Sequence, residues 1–407
     1  MDRQSHLDLP GAALLLAAAS TIAVLFSIAV SQILLGAAVL ALLLSRTKLR
    51  LPPVWAPLAL FMAGTVISLL ASGYPAAGLP QIRKFFVYLT LITLFSTVRG
   101  TARARALVLC WVAAAAAGAG LALVQFARRV YEAHQAGRPL YDYYLGRRVT
   151  GFMSHWQTFG GEQMIVLALV VAFLMFSPRA RGRALWLAAA AAALLGVALV
   201  VGYTRGVWLG ALCGLIYLVW CWRRWLLVAF PLLAALLLWA NPGDVRTRVE
   251  SLFRPRGEAD SNQFRVICWR TGWEMIKAHP LLGVGPERVK PSLEAYLPAD
   301  VQRPLPLGYY GHLHNVYIQY AAERGVPTLL ALVAALVIML RDYGRALRRA
   351  AAGRSDARFL LHGAVAVLVA VAISGLFEVN LGDSEVLTLF LAVVALGYVA
   401  VEEVQRA

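Results

Sequence analysis

The residues best suited to chemistry in this sequence form one short stretch, His312-Leu313-His314-Asn315. It ends a long polar segment and is followed by nine residues, by Gly325-Val326-Pro327-Thr328 and by an apolar run from Leu329 to Leu340. Histidine has a solution pKa of about 6.5, so it can be neutral at working pH and accept a proton from a hydroxyl group. We therefore predict that His314 is a general base at the mouth of a membrane helix. A structural histidine that caps this helix is the alternative.

Several arginines stand where positive charge does not help membrane topology. Arg205 matters most, because it lies between two apolar segments with almost no loop. An arginine at the centre of a membrane helix costs about 2.5–3.5 kcal/mol on insertion scales, and such residues usually mark a substrate path. Guanidinium groups also bind phosphate oxygens in a bidentate manner. The predicted phosphate-binding residues are Arg205, Arg265, Arg148 and Arg147.

Five further residues are weaker candidates for the same site. They are Arg83, Lys84, His155, Asn315 and His312. His155 is a candidate for the cavity wall, whereas His312 is expected to face another direction, since it lies two residues before His314. The alternative for each cation is a surface position or an ion pair with an outer acid such as Glu378 or Asp383.

The sequence predicts neither a metal nor a cofactor. The predicted outer loops hold no Asp-x-Asp pair or carboxylate-rich cluster of the kind that binds a divalent cation. The chain also has no Walker loop, no serine nucleophile elbow and no Cys-x-x-Cys, and its four cysteines give no disulfide framework. Arginine would then stabilise a leaving group where other enzymes use a metal.

Hydrophobic residues make up 60% of the 407-residue chain and charged residues 14%. The elements that position the candidate residues must therefore be those of a membrane protein. This composition excludes an ordinary soluble enzyme and indicates an all-α, polytopic helical membrane protein. Segments of about 17–25 apolar residues can cross a bilayer, and we find twelve. They begin near Gly11, Gln32, Val54, Ile82, Ala106, Glu162, Ala184, Gly206, Trp225, Val316, Phe359 and Glu385. The first two form one apolar stretch, which we divide near Ser27–Ser31.

Lysine and arginine clusters fall on alternate turns between these segments, which places both termini in the cytoplasm. Most of the formal net charge of +17 therefore reports topology, and no nucleic-acid partner is expected. We predict a single membrane domain over residues 1–407, a first periplasmic loop at 128–161 and a large one at 241–313. The large loop should form a small helical cap, since Phe264 to Ala278 has helical spacing and Pro280 to Pro286 ends it.

One pattern resembles the signature of the bacterial O-antigen ligases: His314-Asn315, nine residues, then Gly325-x-x-Thr328. The region from about Gly202 to Pro327 is similar to the wider O-antigen ligase/polymerase-related family. The other matching pieces are Thr204-Arg205-Gly206, the run from Phe264-Arg265 through Trp269 to Pro280-Leu281-Leu282-Gly283-Val284-Gly285, and Glu323-Arg324-Gly325 in place of the usual Glu-x-Gly. The N-terminal third resembles the family only in hydropathy.

The resemblance implies an inverting, metal-independent glycosyltransferase of the bacterial inner membrane. It would move O-antigen polysaccharide from undecaprenyl diphosphate to the lipid A core on the periplasmic face, with His314 as base and Arg205 and Arg265 on the donor diphosphate. An O-antigen polymerase or a protein O-oligosaccharyltransferase would use the same donor. A transporter of lipid-linked sugars is the non-enzymatic alternative, although its ionisable residues would be expected in mid-span rather than at the outer edge.

Overall fold

A computed structural model describes residues 8–253 and 262–406, and these residues form helices and connecting segments without a β-strand. Within these described ranges, seven helices are long and apolar enough to cross a membrane, if α10 is counted with the helical turns up to Ala240. Three shorter apolar helices are α1, α2 and α3. The prediction of an all-α, polytopic helical membrane protein is confirmed. The helices are α1 Leu9–Ala23, α2 Ile28–Leu44, α3 Trp55–Ala71, α4 Pro75–Arg83, α5 Phe85–Thr97, α6 Thr101–Gln135, α7 Leu140–Tyr144, α8 Trp156–Phe176, α9 Gly182–Val201, α10 Arg205–Arg223, α11 Ala229–Ala240, α12 Val245–Glu250, α13 Gln263–Ala278, α14 Val289–Ser292, α15 Val316–Arg324, α16 Val326–Arg349, α17 Asp356–Ser374 and α18 Ser384–Arg406.

The first apolar stretch folds into two helices that pack against each other, as the division near Ser27–Ser31 predicted. Ser27 has an extended backbone, and its hydroxyl accepts a hydrogen bond from Val30 N at 3.5 Å, so it is the N-cap of α2. Across the pair, Ser20 Oγ donates to the carbonyl oxygen of Ser31 at 2.8 Å. Serine thus both starts the second helix and joins it to the first.

The most buried helices are α8, α17 and α18, and they form the centre of the bundle. Helix α10 packs closely on α17 because two glycines leave room for backbone. A Cβ atom at Gly210 would lie 2.5 Å from the carbonyl oxygen of Ala370, and one at Gly214 would lie 2.8 Å from that of Ala366. This close approach fixes the start of α10, where Arg205 stands, beside the end of α17.

The end of the bundle away from these residues is joined by ion pairs and by a helix cap. Arg105 pairs with Asp356, and Arg50 pairs with Glu402. Glu403 accepts a hydrogen bond from the backbone N of Thr101 at 2.7 Å, at the N-terminus of α6. Helix α6 then continues to Gln135, so the segment 128–161 begins with helical turns rather than with a loop.

The helix that follows Asn315 differs from the sequence prediction. A span was expected to begin near Val316, but α15 ends at Arg324 and the long apolar helix α16 begins only at Val326. Gly325 separates them with φ of +83°, and a Cβ there would lie 1.9 Å from the carbonyl oxygen of Leu281. Only glycine fits this position, because the turn after α13 packs directly on the chain.

The turn after α13 and the end of α15 are held together by main-chain hydrogen bonds. Val284 N donates to Ala322 O at 2.8 Å, and Gly285 N donates to Glu323 O at 2.9 Å. Val326 N donates to Pro280 O at 2.8 Å. The turn after α13 and the end of α15 each contain a motif that resembles the family, and although they are distant in sequence they form one unit. This unit anchors the cap next to His314.

The predicted helical piece of the cap is confirmed, since α13 runs from Gln263 to Ala278. Its buried side is formed by Cys268, Thr271, Gly272, Met275 and Ile276, which pack mainly toward α15. Residues 254–261 of the predicted loop 241–313 lie outside the described residues. The predicted break near Trp225 appears as a 3-10 turn over Arg224–Val228 between α10 and α11.

Candidate active site

One large cavity lies where α8, α10, α13 and the segment before α15 meet. Its volume is about 1000 Å³. Six of the residues that the sequence analysis singled out line it: Arg148, His155, Arg205, Arg265, His312 and His314. These six come from five separate parts of the chain. The fold thus brings together residues that the sequence analysis grouped only by their chemical type.

Arg205 begins α10, and its side chain reaches across to the cap. Its Nη1 donates to Ser251 Oγ at 3.2 Å, and its Nη2 donates to Asn262 Oδ1 at 3.0 Å. These hydrogen bonds orient the guanidinium along the wall of the cavity. They also tie the first turn of α10 to the residues that flank α12 and α13.

Arg265 contacts the short turn between α17 and α18. Its Nη2 lies 3.1 Å from Glu378 Oε1, and its Nη1 donates to the carbonyl oxygen of Phe377. The other carboxylate oxygen of Glu378 accepts a hydrogen bond from Gln157 Nε2. The alternative considered for the arginines, an ion pair with Glu378, therefore applies to Arg265. This pair fixes Arg265 in the cavity wall while its charge is partly balanced.

Arg148 is held differently, because backbone carbonyls take the place of a carboxylate. Its Nε donates to Leu145 O at 2.9 Å, and its Nη1 lies 3.5 Å from Tyr203 O. Within residues 8–253 and 262–406, no carboxylate lies within ion-pair distance of it. Its guanidinium also lies over the ring of Trp156, at 4.6 Å from the ring centre.

A second guanidinium shares the acceptor that Arg148 uses. Arg248 Nε donates to the same carbonyl oxygen of Tyr203 at 3.1 Å. Tyr203 is fully buried and has φ of +54°, a strained conformation for a non-glycine residue. Burial and the repulsion of Arg248 lower the pKa of Arg148 to about 9. The two guanidinium groups beside this one carbonyl oxygen therefore repel each other.

His314 is buried, and its hydrogen bond fixes the tautomer of its ring. Its Nε2 lies 2.8 Å from the carbonyl oxygen of Tyr309, which can only accept, so Nε2 carries the proton. The other ring nitrogen, Nδ1, has no hydrogen-bond partner among the described residues. The neutral ring therefore presents an unused acceptor, which is the form that a general base requires.

The surroundings of His314 keep its ring neutral. Burial, together with His312 and Arg265, lowers its pKa to about 3. Its ring packs edge-on against Phe264, with 5.1 Å between ring centres. The backbone of His314 has φ of +51°, so strain is present at the residue with the most distinctive chemistry.

His312 lies on the same cavity, so the expectation that it faces another direction is wrong. The chain turns at His314, and the two ring centres are only 4.1 Å apart. His312 Nδ1 accepts a hydrogen bond from His314 N at 3.2 Å, which supports the strained backbone. Burial lowers the pKa of His312 to about 4. Regular helical or strand spacing could not reveal this arrangement, because the segment is neither.

His155 is the N-cap of α8, where its Nδ1 accepts from Gln157 N at 3.2 Å. Its ring lies on Trp156 with 4.2 Å between ring centres. Burial and the charge of Arg148 lower its pKa. The residue therefore caps a helix and lines the cavity at once.

Four candidates do not line this cavity: Arg147, Arg83, Asn315 and Lys84. Arg147 is exposed and donates to Tyr143 OH at 2.7 Å, and Arg83 is exposed at the end of α4. Asn315 caps α15, since its Oδ1 accepts from Tyr317 N at 2.9 Å, and its Nδ2 donates to Leu376 O at 3.0 Å. Asn315 thus positions His314 by fixing both the helix start and the turn after α17.

Two cavity residues were missed by the sequence analysis. Helical spacing could have identified Arg248, because its distance in sequence from Val245 and Val249 places this charged residue on the apolar face of α12. Glu378 was considered only as an ion-pair partner for the cations, although a charge in so short a turn between apolar segments is itself informative. The described ranges contain no group of three or more His, Cys, Asp or Glu side chains that could hold a metal ion.

A second cavity adjoins the first and has a volume of about 450 Å³. Five residues line both cavities and so form a shared wall: His155, Gln157, Tyr309, His312 and Glu378. Lys84 lies on the second cavity, where its Nζ donates to the carbonyl oxygen of Gly382 at 2.6 Å. This lysine was predicted at the same site as the arginines, but the structure separates it from them.

Residues 190–333 match the family model described as O-antigen ligase. This part of the chain is therefore similar to the O-antigen ligase family, which confirms the resemblance seen in the sequence. The matched residues include Arg205, Arg248, Arg265 and His314, whereas the segments that hold Arg148, His155 and Glu378 lie outside the match. No curated protein matches the chain.

Proposed function

We propose that this protein is an O-antigen ligase, an inverting and metal-independent glycosyltransferase. It moves O-antigen polysaccharide from undecaprenyl diphosphate to a sugar of the lipid A core, in the biosynthesis of lipopolysaccharide. The observation that carries the proposal is the neutral His314, whose Nδ1 is an unused acceptor in a cavity with four guanidinium groups.

The donor diphosphate binds to the arginine wall. Arg148 and Arg248 supply a pair of charges on one carbonyl oxygen, and hydrogen bonds to Ser251 and Asn262 orient Arg205 along the same wall. A diphosphate relieves the repulsion between the first two and gives each guanidinium a bidentate partner. The apolar side chains of Leu209, Leu252 and Val266 also line this cavity, and they suit the start of a polyprenyl chain.

Transfer is a single displacement. His314 Nδ1 takes the proton of the acceptor hydroxyl, the acceptor oxygen forms a bond to the anomeric carbon, and the bond from that carbon to the phosphate oxygen breaks. The electron pair leaves with undecaprenyl diphosphate, and the anomeric configuration inverts. The arginines stabilise the growing negative charge on the diphosphate, which is electrostatic catalysis by groups already in position.

The low pKa of His314 fits this order of events. Burial first, and then the neighbouring His312 and Arg265, make protonation of the ring unfavourable. The negative charge of the diphosphate then raises the pKa of the imidazole, at the stage where it must accept a proton. The base is therefore strengthened by its own substrate.

The site belongs on the periplasmic face of the bacterial inner membrane, with both termini in the cytoplasm. The arginine and lysine clusters between apolar segments lie at the end of the bundle away from the cavities, which supports this orientation. No metal or other cofactor takes part, and the role of a cation falls to the guanidinium groups.

Deletion of the gene tests the proposal. The strain should make lipid A core without O-chain and accumulate long polymerised glycan on undecaprenyl diphosphate. Wild-type protein should restore long O-chains, and the His314→Ala variant should not. Core that carries a single repeat would indicate a polymerase, and intact lipopolysaccharide with loss of glycan from periplasmic proteins would indicate a protein-directed transferase. Lipid-linked sugar trapped on the cytoplasmic leaflet would indicate a transporter.

A further inference from the structure

The second cavity has the opposite charge to the first. Its lining includes five carboxyl residues and one lysine: Glu287, Glu323, Glu378, Asp383, Glu385 and Lys84. Two further cations contact this set from outside the cavity lining, since Arg265 pairs with Glu378 and Arg324 lies 4.0 Å from Glu323. Acidic groups still exceed basic ones after both are counted.

Several of these carboxyl groups are held in place by the backbone. Asp383 Oδ1 accepts from Glu385 N at 3.1 Å and from Val386 N at 3.2 Å, at the start of α18. Glu323 Oε1 accepts from Glu287 N at 3.0 Å. Burial raises the pKa of Glu323 to about 7, so near neutral pH this group can donate a hydrogen bond as well as accept one.

A serine provides a second, independent sign that this cavity takes a ligand. Ser374 is fully buried and lines the cavity, and its Oγ has no hydrogen-bond partner among the described residues. Buried hydroxyl groups are almost always hydrogen-bonded, because an unpaired one costs free energy. A ligand with its own hydroxyl groups would satisfy it.

We propose that the second cavity receives the terminal sugar of the acceptor and selects an uncharged or amine-bearing sugar over a phosphorylated or carboxylated one. This inference rests on the proposed function, since it names the substrate class for the acceptor side of the same reaction. The acceptor hydroxyl reaches His314 across the shared wall, past His312 and Glu378.

The physical reason is the difference in charge across that wall. Carboxylate oxygens accept strong hydrogen bonds from sugar hydroxyl or ammonium groups, and they repel an anion. The arginines of the first cavity do the reverse. Each substrate is therefore disfavoured in the other's cavity, which keeps the diphosphate and the acceptor on their own sides of the shared wall.

The test uses purified full-length protein, a lipid diphosphate-linked glycan as donor and three acceptor glycolipids that differ only in the terminal sugar. The sugar is a neutral hexose, the corresponding amino sugar, or the hexose bearing a phosphate. We expect kcat/KM to be lower for the phosphorylated acceptor by roughly tenfold or more, because like charges in an interface are costly. Equal values for the neutral and phosphorylated acceptors would overturn the inference.

Two variants connect this selectivity to the cavity. Ser374→Ala should raise the KM for the acceptor, leave the KM for the donor unchanged and not lower the Tm, since the hydroxyl makes no hydrogen bond to a described residue. Glu287→Gln/Glu385→Gln should reduce the discrimination against the phosphorylated acceptor. Glu294→Gln, which changes an exposed carboxylate outside both cavities, is the matched control. A change in donor KM with no change in acceptor KM would contradict the assignment.

A binding measurement separates failure of this inference from failure of the proposed function. Wild-type protein that transfers to none of the three acceptors would contradict the proposed function. Ligand-observed NMR with methyl hexopyranoside, its amino analogue and hexose 6-phosphate, with farnesyl diphosphate saturating the first cavity, then decides the inference alone. Weaker binding of the phosphate, relieved by Glu287→Gln/Glu385→Gln, supports it; equal binding of all three sugars overturns it.

Discussion

The two cavities share a wall of five residues, yet they differ in almost every physical property. The first is about 1000 Å³, with guanidinium groups and apolar side chains, and the second is about 450 Å³, with carboxyl groups and a buried hydroxyl. Two imidazoles, His155 and His312, stand in the wall between them, and His314 lies on the arginine side. A reaction that joins an anionic donor to a polyhydroxylated acceptor needs this division.

The two cavities also differ in the backbone groups that hold their charged side chains. Carboxyl groups of the second cavity are held by backbone N–H groups, as at Asp383 and Glu323. Two guanidinium groups of the first are held by the carbonyl oxygen of Tyr203. In each case backbone dipoles fix the position of a charged or titratable group in the cavity wall.

The largest effect is expected when the base beside the shared wall is removed. His314→Ala should lower kcat by roughly 10²–10⁴-fold, the usual contribution of a general base. Transfer would be measured in vitro with purified protein whose folding is checked by its Tm. His279→Ala is the matched control, because His279 contacts Tyr296 outside both cavities. Equal transfer rates for wild type and His314→Ala would show that His314 is not the base.

The next effect concerns the arginine side, where two neighbouring arginines allow a direct contrast. Arg148→Ala should lower kcat/KM by about a hundredfold, since charge-assisted hydrogen bonds to the diphosphate contribute about 1.5–3 kcal/mol each. Arg147→Ala should have little effect, because Arg147 is exposed and contacts Tyr143 instead of the cavity. Equal losses in the two variants would mean that the segment matters only for folding.

Arg205 tests whether geometry matters in addition to charge. Arg205→Lys keeps the charge but removes the planar fork, so we expect a loss of roughly tenfold in kcat/KM for the donor. The KM for the acceptor should stay constant, because Arg205 does not line the second cavity. Unaltered donor kinetics would show that Arg205 has a structural role at the start of α10 instead of binding the donor.

A smaller effect is expected in the pH profile. The folded protein holds the pKa of His314 at about 3, below its usual value, so the neutral form persists as pH falls through 6.5. Activity that depends on neutral His314 should therefore be retained as pH falls from about 8 to about 4 and be lost only as pH approaches about 3, in the profile of kcat/KM, which reports the free enzyme. An acid limb near pH 6.5 would contradict the buried, cation-flanked environment of this ring.

The smallest effect should come from removal of metal ions. Transfer should survive excess EDTA, because guanidinium groups supply the positive charge at the diphosphate. Initial rates would be compared with and without the chelator, on protein purified in its presence. Loss of activity that magnesium or manganese restores would contradict the metal-independent mechanism. It would indicate that a divalent cation acts in the first cavity.

The sequence alone determined the fold class, the helical positions and the types of group in the site. Apolar length placed the helical segments, and serine chemistry placed the division between α1 and α2. Chemical type together with position on the predicted outer side singled out Arg148, Arg205, Arg265 and His314. These inferences succeed because hydropathy and charge placement are properties of local sequence.

Only the tertiary structure decided which of these groups share a cavity. Lys84 and Arg205 both stand at the ends of apolar segments, but packing assigns them to cavities of opposite charge. His312 turns toward His314 because positive φ at His314 reverses the chain there, and α15 stops at Gly325 because the turn after α13 leaves no room for a side chain. Arg248 and Ser374 acquire their surroundings from distant parts of the chain. Such contacts depend on long-range packing and on backbone strain, which no local pattern of residues encodes.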